Sequence, residues 1–224
     1  MKRSIIITAG GTGKRMGAAL PKQFLLLGGE PVLFHTIRRF HAFDQSAQLI
    51  VSLPAEWFSY WKELCEKHGF GISHELAAGG KERFHSIQNA LQAAKGALIA
   101  VHDGVRPFPA LETIANCFSM AAEKGAAIPV TEVKESLREI SGNESKAVIR
   151  SRYRLVQTPQ VFRSEIIRKA YEQDYHEGIT DDASLVESCG VKIELVIGNE
   201  HNIKITSPVD LQLAEIILES GNFK

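Results

Sequence analysis

The sequence predicts an α/β fold of three layers: a mainly parallel sheet, helices on both faces, and a protruding β-hairpin arm. Three observations carry this. Through Val130, short apolar strand-like runs alternate with segments whose apolar residues recur at helical spacing. Glycines and charged residues cluster directly after those runs, where open parallel sheets gather their ligands. The rhythm breaks between Glu132 and Arg154, a polar, charge-rich stretch with a turn at its centre.

Ser4–Ala9 is the first strand. It feeds Gly10-Gly11-Thr12-Gly13-Lys14-Arg15-Met16-Gly17, and Pro21-Lys22-Gln23-Phe24 follows. Gly28-Gly29-Glu30-Pro31 breaks the chain before Val32–Phe43, where Leu33, Ile37 and Phe40 mark one helical face. Gln48–Leu53 is the second strand, and a helix runs through Trp57, Trp61 and Leu64 to Gly69. Ile72–Ala77 is the third strand. Gly79-Gly80 opens a helix over Arg83–Ala94, with Ile87 and Leu91 on one face. Ala97–Val101 is a fully apolar fourth strand, Pro109-Ala110 opens a helix reaching Lys124, and Ala126–Val130 is the fifth strand.

In the broken stretch, Ser136–Ile140 and Lys146–Ile149 are β-compatible and flank the turn-like Ser141–Ser145. A lone two-stranded hairpin is marginal in water, so the arm needs a surface to lie on, and a second copy of the chain is the economical choice. Leu155–Phe162 then leads to a helix over Ser164–Tyr175, and Gly178–Ala183 to a short helix ended by Gly190. Lys192–Ile197 and Asn202–Thr206 read as strands. Ser207-Pro208-Val209-Asp210 reads as a capping box with proline at the first helical position, opening a helix to Ser220 that packs Leu211, Ala214, Ile217 and Leu218. Residues 1–224 form one domain, with 132–154 as a dimerisation arm.

The 224 residues with 44% hydrophobic content suffice for one buried core. Twenty-six basic and 26 acidic residues cancel, which argues against a duplex nucleic acid or a membrane as partner and makes any polyanion site local. Cys65, Cys117 and Cys189 lie far apart without zinc-like spacing, as expected in a reducing compartment. The apolar core Ile5–Ala9 is too short for a signal peptide, and no stretch approaches the length of a membrane span. The expected location is cytoplasmic.

The glycine loop brings backbone N–H groups close to a phosphate, and Lys14, Arg15 and Lys22 supply neutralising charge. This is the pattern of a nucleoside triphosphate site. It is not a Walker loop, because Thr8 stands where the first glycine belongs and Arg15 follows Lys14. It is not a dinucleotide fingerprint, because Met16 occupies the third glycine position. Asp103, directly after the fourth strand, suits Mg²⁺, which uses one or two carboxylates plus phosphate oxygens; capping the next turn or pairing with Arg106 is the structural alternative. His102 packs or orients a neighbour, since no partner nucleophile is evident.

Ala9–Gly17 with Pro21-Lys-Gln-Phe24 resembles the sugar and polyol phosphate nucleotidyltransferases, which implies a Rossmann-like nucleotidyltransferase domain. Val101–Pro107, Gln157-Thr-Pro-Gln160, Thr180–Ser184 and Asn202–Thr206 are similar to the 2-C-methyl-D-erythritol 4-phosphate cytidylyltransferases of non-mevalonate isoprenoid synthesis. The resemblance implies CTP and a polyol phosphate as substrates, Mg²⁺ as cofactor, and a homodimer. It implies Arg15, Lys22, Arg150 and Lys204 as catalytic cations, the first two stabilising the transition state and the others holding the polyol phosphate. Ala9, Gly10, Gly11, Gly13, Gly80 and Ser86 match nucleotide contacts. Asp103 matches the metal and substrate acid with Arg106 beside it, and Ser136, Thr158 and Thr180 match polar substrate contacts. In the family the arm crosses to the partner subunit, so Arg150 and Thr158 would complete the neighbour's site. Ala-Gly-Gly at 9–11 is also common in ribitol 5-phosphate cytidylyltransferases, and Lys81 occupies a place often acidic. That polyol enzyme is the nearest alternative. A sugar 1-phosphate enzyme using UTP or GTP lacks reason for the arm with Arg150, and a non-catalytic nucleotide-binding module would need none of Lys22, Asp103 and Lys204.

Overall fold

Buried apolar runs form the centre of the sheet, and their alternation splits the core in two. The computed structural model describes residues 1–11 and 20–221. Strand β1 (Arg3–Thr8) buries Ile5, Ile6 and Ile7 completely. Ile5 and Ile7 face one side and Ile6 the other, as the two-residue period of a strand demands. A strand buried on both faces belongs in a parallel sheet between helix layers.

The chain then forms a short antiparallel pair, β2 (Leu26–Leu27) with β3 (Glu30–Pro31), before helix α1 (Val32–Phe43). Strand β4 (Gln48–Leu53), helix α2 (Phe58–Lys67), strand β5 (Glu75–Ala78), helix α3 (Arg83–Ala93), strand β6 (Leu98–Asp103), helix α4 (Leu111–Lys124) and strand β7 (Ala126–Glu132) continue the rhythm. β1 lies between β4 and β6, parallel to both, with Ile6 opposite Ile50 and Val101. One face packs Ile5, Ile7 and Val51 against Phe34, Ile37, Trp61 and Phe118 of α1, α2 and α4. The other packs Ile6, Ile50 and Val101 against α3 through Ile87 and Leu91.

After β7 the arm forms as β8 (Arg138–Ser141) and β9 (Glu144–Ala147), antiparallel and wholly exposed, turning through Gly142 at φ 56°. Leu155–Phe162 resolves into two strands, β10 (Arg154–Val156) and β11 (Gln160–Arg163). Both are antiparallel to the rest: β10 pairs with β7, and β11 inserts between β6 and β7. Helix α5 (Ser164–Ala170) closes earlier than its periodicity suggests. Tyr171 ends it, its ring stacked on Phe84 and its hydroxyl donating to Asp182 at 2.5 Å.

Helix α6 (Asp182–Ser188) starts with a capping box between Asp181 and Ser184, and β12 (Glu194–Ile197) pairs parallel with β7. Asn202–Thr206 is not a strand. Its backbone is tied to a neighbouring segment by Ile205 N–H to Val105 C=O at 3.0 Å, and the buried Asn202 side chain donates to Thr158 C=O at 2.8 Å. Helix α7 (Pro208–Ser220) has the predicted Ser207/Asp210 capping box and packs Ala214 and Ile217 against Leu27, Val32 and Phe108.

One aromatic contact sets a pH dependence. The His74 ring accepts from Trp61 Nε1 at 2.8 Å and donates Nδ1–H to Ile72 C=O at 2.7 Å. Both nitrogens are used by the neutral ring, and burial holds its pKa below the ordinary value despite the Ile72 bond. His35 is depressed by burial in the same way. The unfolded chain therefore binds these protons near the ordinary value of about 6.5 while the folded chain resists them, so stability falls as pH drops below that value. The urea midpoint should be lower at pH 5.5 than at 7.5, and His74→Phe should flatten the slope. An identical midpoint at both pH values would contradict this.

Candidate active site

A cavity of about 310 Å³ opens at the carboxyl ends of β1 and β6. Its wall is made by the start of the glycine loop (Ala9, Gly10, Gly11), by Lys22 and Gln23, by Gly80–Arg83 with Ser86, and by Asp103 and Lys204. Chain connections distant in sequence converge here because parallel strands end on the same side.

Each wall has a local cause. Asp103 ends β6, and Gly104 N–H donates to Thr8 C=O at 2.8 Å. A Cβ on Gly104 would stand 3.0 Å from that oxygen and 3.2 Å from Ala9 Cβ, so a glycine lets the turn cross the end of β1 closely. Buried Gln23 donates to Ala9 C=O at 2.6 Å, which ties the Lys22 segment to the loop. Ser86 Oγ accepts from Gly80 N–H at 3.0 Å and donates to Glu82 C=O at 3.1 Å, bracing the third wall. A Cβ on Gly80 would lie 2.3 Å from His85 Cβ. Among the described residues, a methyl at Gly10 would meet Ser86 Oγ at 3.8 Å, which is ordinary contact.

Asp103 is the electrostatic centre. Lys204 Nζ lies 2.8 Å from its Oδ2, Arg106 Nε 3.4 Å from the same oxygen, and Arg83 Nε 3.9 Å from Oδ1. Burial alone would raise its pKa, but Arg83, Lys204 and Arg106 together hold it well below the usual carboxylate range. Arg83 also grips Asp182 with two donors, at 2.6 and 3.1 Å, and Tyr171 Oη–H completes that carboxylate. Asp182 is fully buried. Asp182→Ala would leave the Arg83 charge without its nearest partner. We expect a loss of roughly 2–3 kcal/mol by urea unfolding, below the usual cost for a buried pair because the Arg83 side chain is about one-third exposed.

Behind Asp103, His102 is completely buried beneath the edge of Phe40. Burial pushes its pKa down to about 4, so the ring is neutral at pH 7. Thr158 is buried too, with its Oγ on Asp103 N–H at 3.1 Å and on His102 Nδ1 at 3.0 Å. Its hydroxyl is thus engaged within its own chain; the part in a neighbour's site that the resemblance implies would need a second copy.

The remaining expected positions divide clearly. Gly13 and Arg15 lie outside the described residues. Ser136 and Arg150 are exposed on the arm and do not line this chain's cavity; Arg150 donates to Lys134 C=O. Thr180 borders a smaller neighbouring cavity of about 190 Å³ that shares Glu82 and Arg83 with the first. Arg106 reaches Asp103 and donates to Asn202 C=O at 2.7 Å. Sequence reasoning gave no role to Arg83, Asp182, Tyr171 or Gln23. Arg83 opens the helix after Gly79-Gly80 and Asp182 sits in the Thr180–Ser184 motif, but their pairing across 99 residues is a property of the fold.

Among the described residues lining the cavity there is no histidine or cysteine, and the Ser86 hydroxyl is already engaged. Glycine-rich backbone and several cations arranged about the ionised Asp103 can bind and orient polyanions without a protein nucleophile. With a mainly parallel α/β sheet, that arrangement defines a nucleotidyltransferase. Comparison with known proteins then narrows the class. Residues 4–220 match the family profile described as 2-C-methyl-D-erythritol 4-phosphate cytidylyltransferase. The Bacteroides fragilis protein of that name is 50% identical over 219 residues, covering 97% of this chain and 100% of the relative. The Porphyromonas gingivalis protein is 51% identical over 221 residues, covering 98% and 99%. A crystal structure of the Thermus thermophilus enzyme superposes with a TM-score of 0.78 at 33% identity, covering 98% of this chain and 100% of that one. The chain belongs to the 2-C-methyl-D-erythritol 4-phosphate cytidylyltransferase family.

Proposed function

We propose that this chain joins CTP and 2-C-methyl-D-erythritol 4-phosphate to give 4-diphosphocytidyl-2-C-methyl-D-erythritol and pyrophosphate, a step of non-mevalonate isoprenoid synthesis. The family match and the names of relatives at about half identity support this acceptor over ribitol 5-phosphate. The observation that carries the chemistry is the Asp103 cluster sharing one cavity with Ala9–Gly11, the start of the glycine loop, and with Lys22. An acceptor phosphate is an anion approaching a more negative triphosphate, so the site must place cations on both.

The reading assigns Lys22, with Arg15, to the CTP phosphates, and Lys204 and Arg106 to the acceptor side. Backbone at Ala9–Gly11 and Gly80, with Ser86, would hold the nucleotide. An oxygen of the acceptor phosphate forms a bond to the α-phosphorus, and the bond from that phosphorus to the bridging oxygen breaks. Pyrophosphate leaves with the electron pair. Catalysis reduces to position and charge.

The residues fit a divalent ion arriving with the triphosphate. No group of three or more acidic, histidine or cysteine residues forms a cage among the described residues, but the ionised Asp103 can supply the single carboxylate that Mg²⁺ accepts alongside phosphate oxygens. Bound there, Mg²⁺ would offset triphosphate charge.

The reading extends to a homodimer through 132–154. Ile140, Ile149, Tyr153 and Leu155 are exposed along the arm and its return, an apolar line suited to a second copy. Arg150, Ser136 and Thr180 would then contact the acceptor, Arg150 in the partner's site. Three free cysteines accord with a cytoplasmic setting. No helix among the described residues is long and apolar enough to cross a membrane.

The test is pyrophosphate release with CTP and Mg²⁺. Release with methylerythritol 4-phosphate and not with ribitol 5-phosphate is expected. The opposite preference would overturn the acceptor, and no release with either would overturn the enzyme reading.

A further inference from the structure

We infer that His102 is a positioning residue for this reaction, fixing Asp103 and Arg106 through a one-way chain of hydrogen bonds with Thr158. The inference rests on the function proposed above and adds a residue to it.

The direction of each bond follows from the atoms. Arg106 C=O can only accept, so His102 Nε2, 2.9 Å away, carries the proton. In a neutral ring Nδ1 is then bare and accepts the Thr158 hydroxyl proton at 3.0 Å. That leaves the Thr158 Oγ lone pairs for Asp103 N–H at 3.1 Å. One ring therefore grips both ends of the turn that carries the acid and the arginine, and ties it to the segment before β11. Phe40 lies edge-on to the ring at 4.7 Å, and the side chain has no exposed surface, so water cannot replace the bonds.

The consequence is geometric. Asp103 meets Arg83, Arg106 and Lys204 within 3.9 Å, and Arg106 is held in turn by Asn202 C=O at 2.7 Å. A small tilt of the 103–106 turn would misdirect the acid and both acceptor-side cations together. The nucleotide wall at Gly80 and Ser86 is braced separately, by bonds that do not include His102.

The test uses wild type, His102→Phe, His102→Asn, Thr158→Val and the Phe/Val double variant. Wild-type pyrophosphate release checks the underlying reading first; its failure would refute that reading, whereas a normal wild type with the outcomes below judges His102. His102→Phe keeps the ring and loses both bonds. It should lower kcat/KM for the acceptor phosphate roughly 10- to 100-fold, the cost typical of outer-shell partners, while the Kd for CTP changes less than about threefold. His102→Asn, whose side-chain oxygen can accept from Thr158, should recover part of the loss. The double variant should be no worse than the poorer single one, because both break the same chain. Near-normal acceptor kinetics in His102→Phe would overturn the inference. So would equal losses in CTP binding, or losses that multiply in the double variant. Should His102→Phe fail to fold, His102→Asn and Thr158→Val carry the same comparison: an acceptor-specific loss supports the inference and its absence refutes it.

Discussion

Lys22→Ala is expected to lower kcat by roughly 10²–10³, the usual cost of removing a preorganised charge donor from a site where negative charge develops. Lys22 follows the glycine loop, lines the cavity, and sits on a segment pinned to Ala9 by buried Gln23. Its backbone is thus anchored by the scaffold before substrate arrives. Alanine removes the charge but leaves the Gln23 tie, so the fold should survive. The measurement is steady-state kinetics with a melting curve on the same sample. A kcat within a few-fold of wild type would remove Lys22 from the mechanism.

Arg150→Ala should act differently. Its guanidinium is exposed on this chain and outside its own cavity, so any part in the reaction requires the site of a second copy. Loss of a charge-assisted grip on the acceptor phosphate should raise KM for that substrate roughly 10- to 100-fold, with little change for CTP. Mixing supplies the sharper test. A dimer containing one Lys22→Ala chain and one Arg150→Ala chain has one doubly damaged site and one intact site. After subunit exchange about a quarter of all sites should be intact, and activity should return accordingly. If the mixture stays as poor as its parents, Arg150 does not act across a dimer.

The central strands and their helices were legible because their signals are local. Val32–Phe43 and Gln48–Leu53 form as predicted, bounded by Gly-Pro punctuation and filled by apolar residues of clear period. The Ser207/Asp210 box starts α7 where its residues announce it. Strand direction was not legible: β10 and β11 have the composition of any strand, and only their partners reveal that they run antiparallel. Asn202–Thr206 alternates like a strand yet lacks a ladder: Asn202 and Ile203 donate their backbone N–H groups to Asn199 and His201 C=O, and Asn202 C=O accepts from Arg106 at 2.7 Å.

The site divides along the same line. The glycine loop, Lys22, Asp103 and Lys204 stand out because loops after strands converge in a parallel sheet. The Arg83–Asp182–Tyr171 cluster did not stand out, since nothing local links a residue opening α3 to one opening α6. Thr158 was visible as a residue but not as a buried link between Asp103 and His102.

In the proposed reaction one in-line displacement occurs at the α-phosphorus, with the protein supplying position and charge. Turnover of one diastereomer of CTP bearing sulfur on the α-phosphorus measures this directly. Inversion of configuration in the diphosphocytidyl product is expected. Retention would mean two displacements through a covalent cytidylyl-protein intermediate, and would contradict the single displacement.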